Sequence, residues 1–184
     1  MKFGKKVIVL FFLVSLTGCA SVKSPLSASI TGDGKYWILD KPLEFEVDNQ
    51  TYFVPQGFVT DFASVPRVFW IAFPACSKYT PAAVVHDYLY WVQPENCSKE
   101  CADKVLLSAM QSSNVKWVTS QAIYRAVDLF GKDAWNDNKK DKANNVIRFV
   151  SDDFERKDPN ETWEKMELRF KMWKRDKESK STDR

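Results

Sequence analysis

Residues Thr80 to Trp91 read Thr-Pro-Ala-Ala-Val-Val-His-Asp-Tyr-Leu-Tyr-Trp and carry the only histidine of the 184-residue chain. Thr80 suits a helix N-cap, and Pro81 suits the first helical turn, where a missing N–H costs nothing. No breaker follows as far as Trp91, so the stretch is expected to be helical. Successive helical side chains point about 100° apart. His86 and Asp87 therefore share one broad face without bonding each other. An imidazole beside an oxygen ligand for a cation marks the place where acid–base chemistry would lie.

The first 18 residues read as a segment outside the fold. Lys2, Lys5 and Lys6 precede an apolar run, Val7 to Leu16, too short to span a bilayer. Leu16-Thr17-Gly18-Cys19 resembles a bacterial lipobox, in which the cysteine becomes lipid-modified after cleavage. The alternative is an ordinary secretory peptide that happens to contain a cysteine. Ala20 in place of an aspartate favours the outer membrane, with the domain in the periplasm or at the cell surface. Cleavage removes three lysines from a formal charge of +3 and leaves a neutral chain. Such a balance argues against a nucleic-acid binder.

Residues 19–34, rich in Ser, Thr, Lys and Gly, read as a flexible tether. Residues 35–173 then fit a single domain with one core. Within it, Leu43-Glu-Phe-Glu-Val47 alternates apolar and polar residues, and Tyr52-Phe-Val54 follows the turn-forming Asp48-Asn49-Gln50. Asp61 ends a third extended piece, Phe58 to Thr60, as either a site residue or a turn cap. Ser64 would cap a short helix near Pro66, and Val68 to Phe73 is an apolar run.

Ser98 is expected to cap a second helix, Lys99 to about Ser112, antiparallel to the first across a short turn. Asp103 would then lie near the C-terminal half of the His86 helix. There it could accept the ring N–H and orient the base, or simply complement a helix N-terminus. A third helix is expected over Ser120 to Phe130, stopped by Gly131. Val146 to Val150 is open between strand and helix. Asp158-Pro-Asn-Glu161 reads as the start of a last helix with Trp163, Met166, Phe170 and Trp173 on one stripe. The tail 174–184 is charged and expected to be disordered.

Beyond Cys19 there are three cysteines, Cys76, Cys97 and Cys101. An oxidising compartment favours a disulfide. A helix of about a dozen residues spans about 18 Å, which separates Cys76 from the other two. Disulfides need Cα atoms within about 7 Å, so Cys97–Cys101 is the expected pair and Cys76 the free thiol. One histidine and no close Cys-x-x-Cys pair make a structural zinc site a poor fit.

Four stretches carry a family resemblance: Gly57-Phe-Val-Thr-Asp61-Phe-Ala-Ser-Val-Pro-Arg67, Ala83-Val-Val-His86-Asp87-Tyr-Leu-Tyr90, Ala102-Asp103, and Gly131-Lys-Asp-Ala-Trp135. Through them residues Tyr36 to about Trp135 resemble the bacterial and phage family DUF1353. That resemblance implies a phage, a prophage or a bacterial genome carrying one as the source, and supplies no activity. The site more loosely resembles secreted phospholipase A2, whose histidine is the general base, whose adjacent aspartate holds Ca²⁺ and whose distant aspartate orients the histidine. On this likeness His86 and Asp103 are catalytic and Asp87 holds Ca²⁺, with Asp61 in place of the missing glycine-rich calcium loop. The cysteines that bracket the His-Asp pair in that family are missing too.

The expected fold is α+β: an antiparallel β-hairpin or small sheet packed on an antiparallel helix pair, with further C-terminal helices. Two functions follow. One is a membrane-anchored lipoprotein that binds or excludes, with a lipid or an envelope protein as partner. The other is a metal-assisted ester hydrolase working through His86, Asp87 and Asp103. No Gly-x-Ser-x-Gly elbow is present, so a serine hydrolase is not among them.

Overall fold

The computed structural model describes residues 21–61, 78–156 and 158–182. The leader, Cys19, the Ser64–Pro66 helix start, the apolar run 68–73 and Cys76 lie outside the described residues. The fold is α+β, with a small antiparallel β-structure from N-terminal strands and four helices among the described residues.

Leu43–Val47 (β4) and Gln50–Val54 (β5) form a hairpin in the register Leu43↔Val54, Phe45↔Tyr52, Val47↔Gln50. Asp48 and Asn49 both take positive φ, 50° and 63°, as the two-residue turn that matches strand twist requires. Strict alternation sends Leu43, Phe45 and Val47 into the core. A second sheet joins Ala28–Ile30 (β2), Trp37–Leu39 (β3) and Val59–Thr60 (β6) in the order β2-β3-β6.

The stretch expected to be a tether contributes strands instead. Ser21–Val22 (β1) pairs with β4 and completes a β1-β4-β5 sheet, and β2 pairs with β3. Both new strands lie at sheet edges. Lys23 adds an ion pair to Glu46 at 2.6 Å.

Thr80–Val92 (α1) and Lys99–Ser112 (α2) pack on the hairpin sheet. Tyr79, not Thr80, holds the N-cap position of α1, with no side-chain cap; helix ends are ambiguous by a residue or so. Ser98 caps α2 by accepting from the Cys101 N–H at 3.3 Å. Cys97 and Cys101 are disulfide-bonded, with Cα atoms 5.3 Å apart.

Trp117–Ala143 (α3) passes straight through Gly131, which therefore stops nothing. A Cβ there would stand 2.5 Å from the Tyr90 hydroxyl, so this glycine serves the close approach of two helices. Arg148 to Val150 is extended: Val59 N–H donates to Arg148 O, and Val150 N–H to Gly57 O, both at 2.9 Å. Gly57 takes φ 77° and lies so close to Val150 O that no side chain fits.

Trp163–Thr182 (α4) begins after Asp158, whose carboxylate instead accepts the Asn160 N–H in a turn. Its apolar stripe, Trp163, Met166 and Phe170, closes a second core over Ile38 and Val59. The helix also covers most of the tail expected to be disordered. Pairs such as Lys171–Glu167 at 2.7 Å support it from its own surface.

Candidate functional site

Three side chains from two helices meet at the carboxylate of a fourth. His86 and Tyr90 stand one turn apart on α1 and face α2; Lys99 and Asp103 stand one turn apart on α2. Asp103 Oδ1 accepts from Tyr90 Oη at 2.7 Å and lies 2.9 Å from His86 Nε2. Asp103 Oδ2 takes the Lys99 ammonium at 2.7 Å. That ammonium reaches on to Val127 O at 3.1 Å and Asp128 O at 3.2 Å, fastening α3 to the pair. All three of its protons are used. The Tyr90 ring packs at 4.2 Å on the His86 ring and edge-on to Trp135 at 5.1 Å.

The protonation states follow. Burial works to raise the Asp103 pKa, but hydrogen bonds from His86, Lys99 and Tyr90 prevail and hold it below the usual carboxylate range. Burial pushes the His86 imidazole below its ordinary value, and the bond to Asp103 offsets this only in part. His86 is therefore neutral near pH 7. An ionised Asp103 can only accept, so the single ring proton sits on Nε2. Nδ1 then keeps its lone pair, and it is the one buried side-chain polar atom with no hydrogen-bond partner among the described residues.

His86 forms part of the floor of a cleft of about 240 Å³. Asp87 lines the same cleft and accepts a hydrogen bond from Thr60, in β6. Asp61, one residue further on, lines it too, and α3 supplies the opposite wall with Phe130, Asp137 and Asp141. The structure thus brings His86, Asp87 and Asp61 to one cleft. Asp103 meets His86 from behind, and both are fully buried rather than solvent-accessible as a shared site would suggest. Among the described residues there is no group of three or more His, Cys, Asp or Glu placed to hold a metal.

Residues 37–127 match the family whose description is "protein of unknown function (DUF1353)". The matched segment, just under half of the chain, resembles that family. It holds Asp61, His86, Asp87, Tyr90, Lys99 and Asp103. No curated protein and no solved structure matches the chain. Outside the matched segment, Gly131, Trp135 and Arg148 complete the surroundings of the site.

Sequence reasoning assigned no role to Tyr90, Lys99 or Arg148. The signal for the first two was present: Tyr90 lies four residues after His86, and Lys99 four before Asp103. One turn of helix stacks each on its neighbour. Nothing in the sequence aims Arg148 at the cleft.

Proposed function

We propose that the chain is a hydrolase of carboxylic esters in which His86 is the general base. One observation carries this reading: Asp103 holds Nε2 at 2.9 Å, while Nδ1, buried and without a hydrogen-bond partner among the described residues, belongs to a ring that lines the cleft. Nδ1 takes a proton from a water in the cleft as the water oxygen attacks the ester carbonyl. Asp103 steadies the imidazolium, and the same proton then passes to the departing alkoxide. Burial serves this cycle by keeping the resting imidazole neutral.

Asp87 and Asp61 would hold Ca²⁺, which when bound supplies polarisation of the ester carbonyl. The fit is partial, because two carboxylates fall short of the six to eight oxygens that Ca²⁺ takes. Backbone carbonyls, water or substrate would have to provide the others.

The test is release of acid from a lipid ester, with Ca²⁺ and with chelator, by the wild type and by His86→Asn. The variant keeps a donor for Asp103, so its melting temperature should stay within a few degrees while hydrolysis disappears. Absence of hydrolysis by the wild type in every condition, with early melting of the variant, would sink the reading.

The complete burial of His86 and Asp103 favours a second reading. Here the cluster only ties α1 to α2, and the chain is a binding or exclusion lipoprotein of phage, prophage or host origin. Both readings place it on a membrane through a lipid on Cys19. No helix among the described residues is long and apolar enough to cross a bilayer. Cys19→Ser should release the protein from the membrane fraction and abolish its processing by the lipoprotein signal peptidase. Unchanged fractionation and mobility would refute the anchor.

A further inference from the structure

A second groove opens beside the cleft. It is open to solvent and offers about 540 Å³, and Ile147, Phe149, Phe170 and Trp173 form its walls. Trp91 and Arg148 line both spaces, so the two share an edge. The Arg148 guanidinium lies 5.8 Å from the Trp91 ring centroid and 5.9 Å from that of Tyr36. Among the described residues it has no carboxylate partner. It is also, among the described residues, the one cation that lines the cleft, together with Asp61, Asp87, Asp137 and Asp141.

These groups sort a ligand along its length. Hydrocarbon belongs among the aromatic walls, and a negative charge belongs at Arg148, because the groove's other cations, Lys177 and Lys174, already pair with Asp153 and Glu178. A docked helix is about 10 Å across and fills roughly 400 Å³ per turn, so the groove would hold little more than one turn. An extended alkyl chain fits it better. We propose that the groove binds the acyl chain of a lipid whose anionic group is held by Arg148. The site is independent of hydrolysis as a binding site. Its further consequence, that the lipid's ester is presented to His86, rests on the function proposed above.

Tryptophan quenching by brominated chains tests this, since Trp91 and Trp173 both line the groove. The probes are 12-bromododecanoate and the uncharged 12-bromododecanol, each below its aggregation limit. The wild type should show saturable quenching, with the carboxylate bound about tenfold more tightly than the alcohol. Arg148→Gln should erase that preference and leave the alcohol unaffected. Phe149→Asp, at a partly exposed wall, should weaken both. Quenching that does not saturate would overturn the proposal, and so would equal binding of the two probes or an Arg148→Gln variant that keeps the preference. Displacement of the probe by an acidic amphipathic peptide at lower concentration than by dodecanoate would assign the groove to a protein partner instead. The measurement reads binding alone, so a failure of the hydrolase reading leaves it intact.

Discussion

A methyl group built on Gly131 would stand 2.5 Å from the hydroxyl of Tyr90, the same hydroxyl that donates to Asp103. The bare α-carbon of α3 is what lets Tyr90 reach the carboxylate. The spacing of α1 and α3 and the hydrogen bonding of the buried cluster are thus one geometric fact.

Gly131→Ala should accordingly destabilise the protein. A helical glycine replaced by alanine gains about 1 kcal/mol of propensity. Overpacking costs about 1–3 kcal/mol, and a hydrogen bond forced away from a buried carboxylate about 1–3 more. The clash should win by about 1–5 kcal/mol in urea denaturation. Combined with Tyr90→Phe, which removes the obstructing oxygen, the loss should be less than the sum of the two single changes. Full additivity would mean that the two residues do not meet.

Lys99→Met should be more damaging. It strips the cation from a buried carboxylate and removes a donor shared by Val127 O and Asp128 O. Breaking a buried pair on one side costs about 3–5 kcal/mol. Adding Asp103→Asn to the same chain should recover part of that loss, because no uncompensated charge then remains. A Lys99→Met protein as stable as the wild type would rule out the buried pair.

Stability should fall as the solution is acidified through the histidine range. An unfolded histidine takes a proton near pH 6.5, whereas native His86, held lower by burial, refuses it. The unfolded state then binds more protons, so stability is full above about pH 6.5 and declines below it, at no more than about 1.4 kcal/mol per pH unit from this group. Asp103, with its pKa lowered in the fold, adds a loss of the same sign at more acid pH, as the unfolded carboxylate protonates near pH 3.9. Because the chain has one histidine, His86→Asn should flatten the segment between pH 5 and 7. An unchanged slope in that variant would place the titrating group elsewhere.

The Cys97–Cys101 bridge spans the turn that presents Lys99. Reduction should cost about 2 kcal/mol by loop-closure entropy. Thermal melts with and without reductant would measure it, and alkylation mapping would check the pairing.

Local signals carried much of the fold. Alternation at Leu43 to Val47, the Asp48-Asn49 turn and the Ser98 cap each act within a few residues, so their chemistry is readable in a linear chain. Gly131 was misread because a glycine's local meaning, a helix stop, was overruled by a contact with Tyr90, 41 positions away in the chain. The strands β1 and β2 were missed for the same reason, since an edge strand takes its hydrogen bonds from distant partners. His86, Asp87 and Asp103 were legible as candidates because one helix face and one short turn bring them near each other. That Asp103 would sit behind the imidazole, and not beside it in the cleft, depended on packing against α3.

The match to DUF1353 ends at Val127, in the middle of an unbroken helix. Every side chain of the buried hydrogen-bonded cluster lies before that point, while Phe130, Arg148 and most of the aromatic groove lie beyond it. The edge of the matched stretch therefore runs through the cluster's own packing, because the Asp128 carbonyl and Gly131 lie just past it. An exchange of everything after Val127 between two such proteins would carry the groove across whole, and the Tyr90–Asp103 bond would survive it only where the incoming helix keeps a glycine at position 131.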